Sequence, residues 1–280
     1  LKLKVVAFKT RYWRPGTDYR EQIVKVVRNH VKDGDIIAVS EKALATATGN
    51  IIDESRVKAS LLSKFLVDIW VKKIWGGPLG RITRLKSKTM KNLREYPSQE
   101  GAIHKQVTLN RVGFLQSLRH YSEGGIDASN LPYSYVSLPL DDPNGIAYGI
   151  REAIKKFLGV EVSVLIVDGD STFSWRNFHL APRSLKVRGL VHFGGFLTFV
   201  IGRILGWMER NTPVAYYGDE LNPDRLLWFA KRFHRISGRG VGRTVWSMSE
   251  RMGTSLTGIT WKMLESVPHR PIAIIRVVVD

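Results

Sequence analysis

Eight mostly apolar residues, Val160–Val167 (VEVSVLIV), run straight into Asp168-Gly169-Asp170-Ser171-Thr172, and this junction constrains the chain more than any other. The apolar run predicts a buried strand, so the chain must build a sheet with other elements packed on it. Leu3–Phe8 predicts a second buried strand. The loop Lys9–Asp18 follows, and Asp18 can cap a helix from Tyr19 to about Val31, with Ile23, Val26 and Val27 on one face. The turn Asp33-Gly34-Asp35 launches a strand over Ile36–Val39, which completes a strand, loop, helix, strand unit.

Further along, Ser55–Trp75 predicts one amphipathic helix, broken by Gly76-Gly77-Pro78. From His104 the pattern predicts a short strand, a helix over Val112–His120 and a loop over Tyr121–Pro132. Asp142-Pro143 supplies an N-cap and an N1 proline for a helix that carries Ile146, Ile150 and Ile154 and stops at Gly159. The last third predicts a helix from Pro223 to His234, the loop Gly238–Arg243 (GRGVGR), another helix and a strand over Pro271–Val279. The pattern is that of an α+β (mixed α/β) protein with mixed sheets and flanking helices. It forms a single unit over 1–280, with an α/β part at 1–75, a basic connector or lid at 76–103 and a second α/β part at 104–280.

The absence of cysteine excludes thiolate metal sites, thiol nucleophiles and disulfides, and fits an intracellular, cytoplasmic setting. Leu1–Thr10 alternates lysine with apolar residues, a strand pattern and not the layout of a signal peptide. A net charge of +18 draws polyanions to the surface. Arg81–Arg94 concentrates that charge, and the nearby Trp70, Trp75 and Tyr96 can stack on bases, so nucleic acid is a candidate partner. Gly189–Met208 has the length of a bilayer span, but His192, Arg203 and five glycines point to a buried strand followed by a helix and to no membrane partner.

Three segments carry candidate chemistry. Glu123-Gly-Gly-Ile-Asp127-Ala-Ser-Asn130 offers oxygen ligands on a flexible loop, suited to a hard divalent cation; Asx turns and helix caps use the same residues. Asp168 and Asp170, placed after a strand, suit a metal held against phosphate, and an ordinary Asp-Gly turn is the alternative. The glycines around Gly238, with Arg239 and Arg243, can turn N–H groups towards a phosphate or simply form a mobile turn. The histidines show no zincin spacing, and there is no Gly-x-Ser-x-Gly elbow.

At these same loops the sequence resembles the gamma-glutamyl ligase family that adds glutamate to the deazaflavin coenzyme F-420 using GTP and divalent metal. Gly124-Gly-Ile-Asp-Ala-Ser-Asn130 resembles the family's Asn-Ala-Gly-Ile-Asp-x-Ser-Asn, and Leu138-Pro-Leu-Asp-Asp-Pro143 its Leu-Pro-x-Asp-Pro. Gly34–Lys42 with Gly49 is similar to its early strand and turn, and Val164–Asp168 with Trp175-Arg176 to its Ser-Asp-Thr strand and later Trp-Arg. The resemblance implies two intertwined lobes, a homodimer, GTP as cosubstrate, magnesium or manganese, and acidic substrates, namely glutamate and an anionic deazaflavin coenzyme. It implies metal ligands at Asp127 and Asp168, with Asp170 beside them, and nucleotide contacts at Glu41, Lys42 and Asn130. Thr46 stands where the family has a nucleotide-contacting Lys, and Gly169-Asp170 where it has Thr. Ser237-Gly238-Arg239 and Met252-Gly253-Thr254 are two alternative places for its Met-Gly-Gln loop, and Arg176 joins Lys42 as a candidate for catalysis. A noncatalytic nucleic-acid or anion-binding protein on the same scaffold is the alternative.

Overall fold

The computed structural model describes residues 2–121, 123–238 and 240–278. The strands are β1 (Lys2–Thr10), β2 (Ile36–Ser40), β3 (Ile51–Asp53), β4 (Tyr135–Ser137) and β5 (Ser163–Trp175), then β6 (Phe178–Ala181), β7 (Leu190–His192), β8 (Met208–Tyr217) and β9 (His269–Val278). Among the described residues seven of them form one mixed sheet, while β3 and β4 make a separate antiparallel pair. β9 lies between β1 and β2, antiparallel to both; β2 runs parallel to the first half of β5, and β8 lines the other edge of β5. Beyond the end of β2, β5 pairs instead with β6, which carries β7 parallel to it.

The central strands are apolar on both faces because helices cover both. Along β2 the pleat sends Ile37 and Val39 to one side and Ile36 and Ala38 to the other. The first side packs with Ile23 and Val27 of the helix Tyr19–Val27 and with Ile150 and Ile154 of the helix Pro143–Leu158. The second packs with Leu226, Phe229 and Phe233 of the helix Pro223–Ser237. The caps foreseen in the sequence are present: Asp18 accepts from the Glu21 amide at 3.0 Å and Asp142 from the Gly145 amide at 2.9 Å.

Several expectations are corrected. β1 is an edge strand with alternating exposure, not a buried one, because Leu3, Val5 and Ala7 pack on the core beside the helix Pro223–Ser237 while Lys2, Lys4 and Val6 on the other face are exposed. The helix before Trp75 begins at Leu61, where the Ser60 side chain caps it, and it widens to a π-helical Leu66–Trp75. His104 lies in the helix Ser98–Val112, not in a strand, and a short helix Phe114–Ser117 follows. Within the basic stretch 76–103 lie the helices Pro78–Ile82 and Ser87–Arg94, and Leu93 packs against Val71 and Trp75. Trp75 is buried and offers no face to a base; it and Trp70 both donate to the Leu118 carbonyl at 2.7 Å, and Tyr96 packs on Trp246.

Gly189–Met208 resolves into β7 and the helix Gly195–Ile204, as expected of a strand followed by a helix. It is not wholly buried: Leu197, Ile201, Ile204 and Leu205 form an exposed stripe, while Gly202 sits against Phe173 on the inner face. No helix of the described residues is long and apolar enough to cross a membrane.

Candidate active site

β5 does not end at Asp168, as the sequence suggested, but runs on to Trp175. What ends there is its parallel partner: Ser40 pairs with Val167, after which β2 turns into the helix Glu41–Ala47. Against β8 the register slips between Asp168 and Ser171, a bulge that re-aims the strand at this point. Parting of parallel strands opens a crevice at their carboxyl ends, the usual ligand position in α/β sheets. A cavity of about 210 Å³ occupies it, and Lys42, Thr46, Asp127, Asn130, Asp168 and Asp170 all line it.

The Asp127 loop is pinned to β4 by reciprocal bonds with Ser137: the Asp127 amide donates at 3.2 Å and the Ser137 amide at 3.0 Å. Asp127 Oδ1 accepts from the Ser129 amide at 2.6 Å, the Asx turn anticipated as the alternative use of this residue. Its Oδ2 meets the Lys42 ammonium, which also donates to Ser129 Oγ at 2.7 Å. Turn-forming and charge-bearing roles therefore coexist in one carboxylate.

Asn130 adopts a left-handed conformation, φ 58°, and ties a third segment to the site. Its Oδ1 accepts from the Val241 amide at 2.7 Å and its Nδ2 donates to the Gly242 carbonyl at 2.9 Å, clamping the glycine loop over the cavity. Gly240 is required there, since a Cβ would stand 2.4 Å from Asn130 Oδ1. Gly238 lines the cavity, and Arg239 lies outside the described residues.

Two side chains that the sequence reading passed over complete the charge arrangement. Arg183, in the loop after β6, is buried and bridges Glu41 and Asp168, reaching Asp168 Oδ2 at 3.7 Å while Nη1 donates to the Gly124 carbonyl at 3.2 Å. Burial pushes the Glu41 carboxyl above its ordinary value against the opposing pull of Arg183, and Asp168 adds to the rise. Burial also opposes charge on Arg183, yet Glu41 and Asp168 outweigh it and hold the guanidinium protonated. Arg119 plays the matching part for Asp170, at 3.3 Å. Nothing in the local pattern of Pro182-Arg183-Ser184 signals this role, because all its partners are distant in sequence.

Glu41 points into this buried pair and accepts from the Leu140 amide at 3.2 Å. The Thr46 hydroxyl donates to the Lys42 carbonyl at 2.8 Å within its own helix. Arg176 is not brought to the cavity: it lies exposed at the turn between β5 and β6, stacked 5.2 Å over Trp175. Its place at a hairpin tip follows from the continuation of β5.

As for a cation, no group of three or more His, Asp or Glu side chains among the described residues forms a ready cage. The donors present do fit a magnesium-like ion, which takes one or two carboxylates and completes its shell with phosphate and water. Asp168 Oδ2 supports this, being a buried oxygen with no hydrogen-bond partner in the chain.

Behind the Asp127 loop lies a second cavity of about 400 Å³, sharing Ile126, Asp127, Ser129 and Arg243 with the first. Tyr96, Tyr121, Tyr133 and Trp246 line it, and the Tyr121 hydroxyl is buried without a hydrogen-bond partner. Glu54, His104 and Glu123 form its polar side: His104 Nδ1 lies 2.7 Å from Glu54, and the wholly buried Lys105 donates to Glu123 at 2.6 Å.

A mixed sheet with covering helices, with acidic side chains converging at its crevice and cationic side chains paired to them, frames the site. The chain belongs to the F420-0:gamma-glutamyl ligase family, whose profile matches residues 7–190. It is 32% identical over 284 aligned residues to an uncharacterized protein of Methanocaldococcus jannaschii, covering 98% of this chain and 97% of that one. It is also similar to proteins named coenzyme F420:L-glutamate ligase. That of Methanopyrus kandleri is 25% identical over 55% of this chain and 54% of its own length; that of Haloarcula marismortui is 26% identical over 62% and 61%.

Proposed function

We propose that this chain is a nucleotide-dependent, metal-assisted amide-forming ligase that adds glutamate to a deazaflavin coenzyme or a related acceptor, with GTP as cosubstrate. The observation that carries the reading is that Asp127, on a loop, and Asp168, within β5, line one cavity together with Lys42. In such a reaction a carboxylate oxygen of the acceptor attacks the terminal phosphorus and releases GDP. The amino group of glutamate then attacks the acyl carbon, phosphate leaves, and the nitrogen gives up a proton.

Asp127 and Asp168 would hold magnesium or manganese, which would supply positive charge against the phosphates. The chain's own groups do the rest. Lys42 and Arg243 present positive charge to the phosphates, and the glycine loop held by Asn130 brings backbone close to them. The aromatic cavity next to Asp127 supports seating of the planar coenzyme ring, which would deliver its carboxylate across the shared wall. The exposed stripe Leu197, Ile201, Ile204 and Leu205 supports pairing of two copies.

The test is to incubate the purified chain with GTP, manganese, glutamate and the deazaflavin coenzyme. The expected result is GDP release matched by a one-glutamate mass gain in the coenzyme, both lost in Asp127→Asn. GDP release without any glutamylated product, or neither, would count against the reading.

A further inference from the structure

The second cavity has one wall that the family match does not reach: Trp246, Ser255, Leu256 and Thr257 line it from beyond residues 7–190. Trp246 stands in the first turn of the helix Val245–Met252. The start of that helix is fixed by a reciprocal cap between Thr244 and Ser247 and by the close approach of Gly242, where a Cβ would lie 2.5 Å from Ser247 Oγ. From there the indole meets Tyr96 at 5.4 Å and Tyr121 at 5.6 Å, tilted by 52° and 54°, so neither ring covers it as a parallel stack would. A flat ring can lie in such a corner, and about 400 Å³ is the size of a small-molecule site.

Aromatic corners also hold cations, and charge decides between the two kinds of occupant. Among the described residues six charged side chains line the cavity. Lys42 answers Asp127, the wholly buried Lys105 answers Glu123, and, against burial, Glu54 and Glu123 keep His104 protonated beside Glu54. Glu100 and Arg243 remain, one of each sign. The lining is therefore balanced and offers a cation no net negative charge. One polar group is unspent, since the Tyr121 hydroxyl is buried and has no hydrogen-bond partner among the described residues. Burial and then Glu123 push the phenol pKa above its ordinary value, so the group keeps its proton and stands as a donor lacking an acceptor. The same Glu123 charge disfavours an anionic acceptor and favours a neutral carbonyl.

We propose that Trp246 and Tyr121 select the acceptor substrate of this chain: the second cavity takes a planar, uncharged heteroaromatic ring that lies on Trp246 and accepts the Tyr121 hydrogen bond through a carbonyl on its edge. The inference rests on the ligase reading for what the ring is attached to, and adds the ring's charge, its edge chemistry and the two residues that read them. Tyr121 is not among the residues that the two cavities share, so a ring held there turns its opposite end towards the shared wall of Ile126, Asp127, Ser129 and Arg243 and the nucleotide beyond it.

Titration of an uncharged fluorescent deazaflavin, lacking phosphate and carboxylate and followed by anisotropy without nucleotide or metal, reads the cavity separately from turnover. The intact chain is expected to bind it, Trp246→Ala roughly 10- to 100-fold more weakly and Tyr121→Phe about 3- to 10-fold more weakly. Tyr121→Phe should melt no earlier than the intact chain, because it removes a buried donor that has no partner; a hydroxyl with a merely structural role would lower the melting temperature when lost. Uptake of GTP and manganese by Trp246→Ala should match that of the intact chain. No binding by the intact chain, equal binding by Tyr121→Phe, or displacement of the ring by tetramethylammonium would overturn the inference. Ring binding with the expected losses but no glutamate transfer would remove the ligase reading and leave this site, whereas glutamate transfer by both variants at an unchanged KM for the coenzyme would do the reverse. If Trp246→Ala does not fold, Tyr121→Phe decides.

Discussion

The Lys42 ammonium and the Asp127 carboxylate, 85 residues apart in sequence, close the candidate active site from opposite walls. Lys42 stands in the first turn of a helix that leaves the end of β2, and Asp127 on a loop hung from β4, so the pair joins the main sheet to the small one. Both side chains are partly open to solvent, so the pair adds little to stability, and its expected role is functional.

Asp127→Asn keeps the size and Asx-turn capacity of the residue while removing its charge. The fold is expected to survive, with a melting temperature near that of the unaltered chain. Turnover should fall by roughly 10²- to 10³-fold, the scale of losing one electrostatic partner of a transferring phosphoryl group. Calorimetry with GTP and manganese should show the accompanying loss of binding; undiminished binding would place the metal elsewhere.

Asn130→Ala removes two hydrogen bonds to the glycine loop and puts a Cβ-bearing residue without a local side-chain bond at φ 58°. A destabilisation of about 2 kcal/mol is expected in urea titration. Because the loop covers the cavity, KM for nucleotide should rise more than kcat falls. Equal losses in both would indicate a role confined to folding.

Stability should depend on pH through His104. Burial opposes its charge, yet Glu54 and Glu123 outweigh burial and push its pKa up to about 10, above the ordinary 6.5. A raised value in the folded state means this contribution is fully present below about pH 6.5 and is lost as pH rises towards 10. Glu123 is held well below the usual carboxylate range, against burial, by Lys105 and then His104, so its contribution is fully present above about pH 4.5 and is lost progressively as pH falls below that. The urea midpoint of the intact chain should therefore drop between about pH 7 and about pH 9.5 more than that of His104→Gln. Parallel curves would show that His104 is not charged in the fold.

Gly202→Ala tests the inner face of the helix Gly195–Ile204. A Cβ there would lie 2.2 Å from Phe173, within a close-packed layer, so a loss of about 1–3 kcal/mol is expected by thermal unfolding. On the outer face, Ile201→Asp should leave stability unchanged if the stripe is open, but convert a two-copy species to a single one by light scattering. A mass that is the same for both chains would exclude this stripe as a pairing surface.

Local chemistry was written plainly in the sequence. Asp18 and Asp142-Pro143 announce helix starts because a cap needs only a side-chain oxygen within three residues of an open amide. The run Val164–Val167 announces a buried strand, and the Asp127 loop shows its turn chemistry, since an Asx turn closes within two residues. Tertiary structure decided what those pieces meet. Whether Asp168 ends a strand or sits mid-strand depends on where β2 stops and on a bulge against β8, neither of which leaves a mark near Asp168 itself. Arg183 lies 142 residues from Glu41, and no periodicity carries information across that span; only the packed sheet brings a guanidinium and a carboxylate into contact. Arg176, conspicuous beside a tryptophan in the sequence, was carried to a hairpin tip by the same extension of β5. Short-range hydrogen bonding is encoded residue by residue, whereas convergence of charge is a property of the folded sheet.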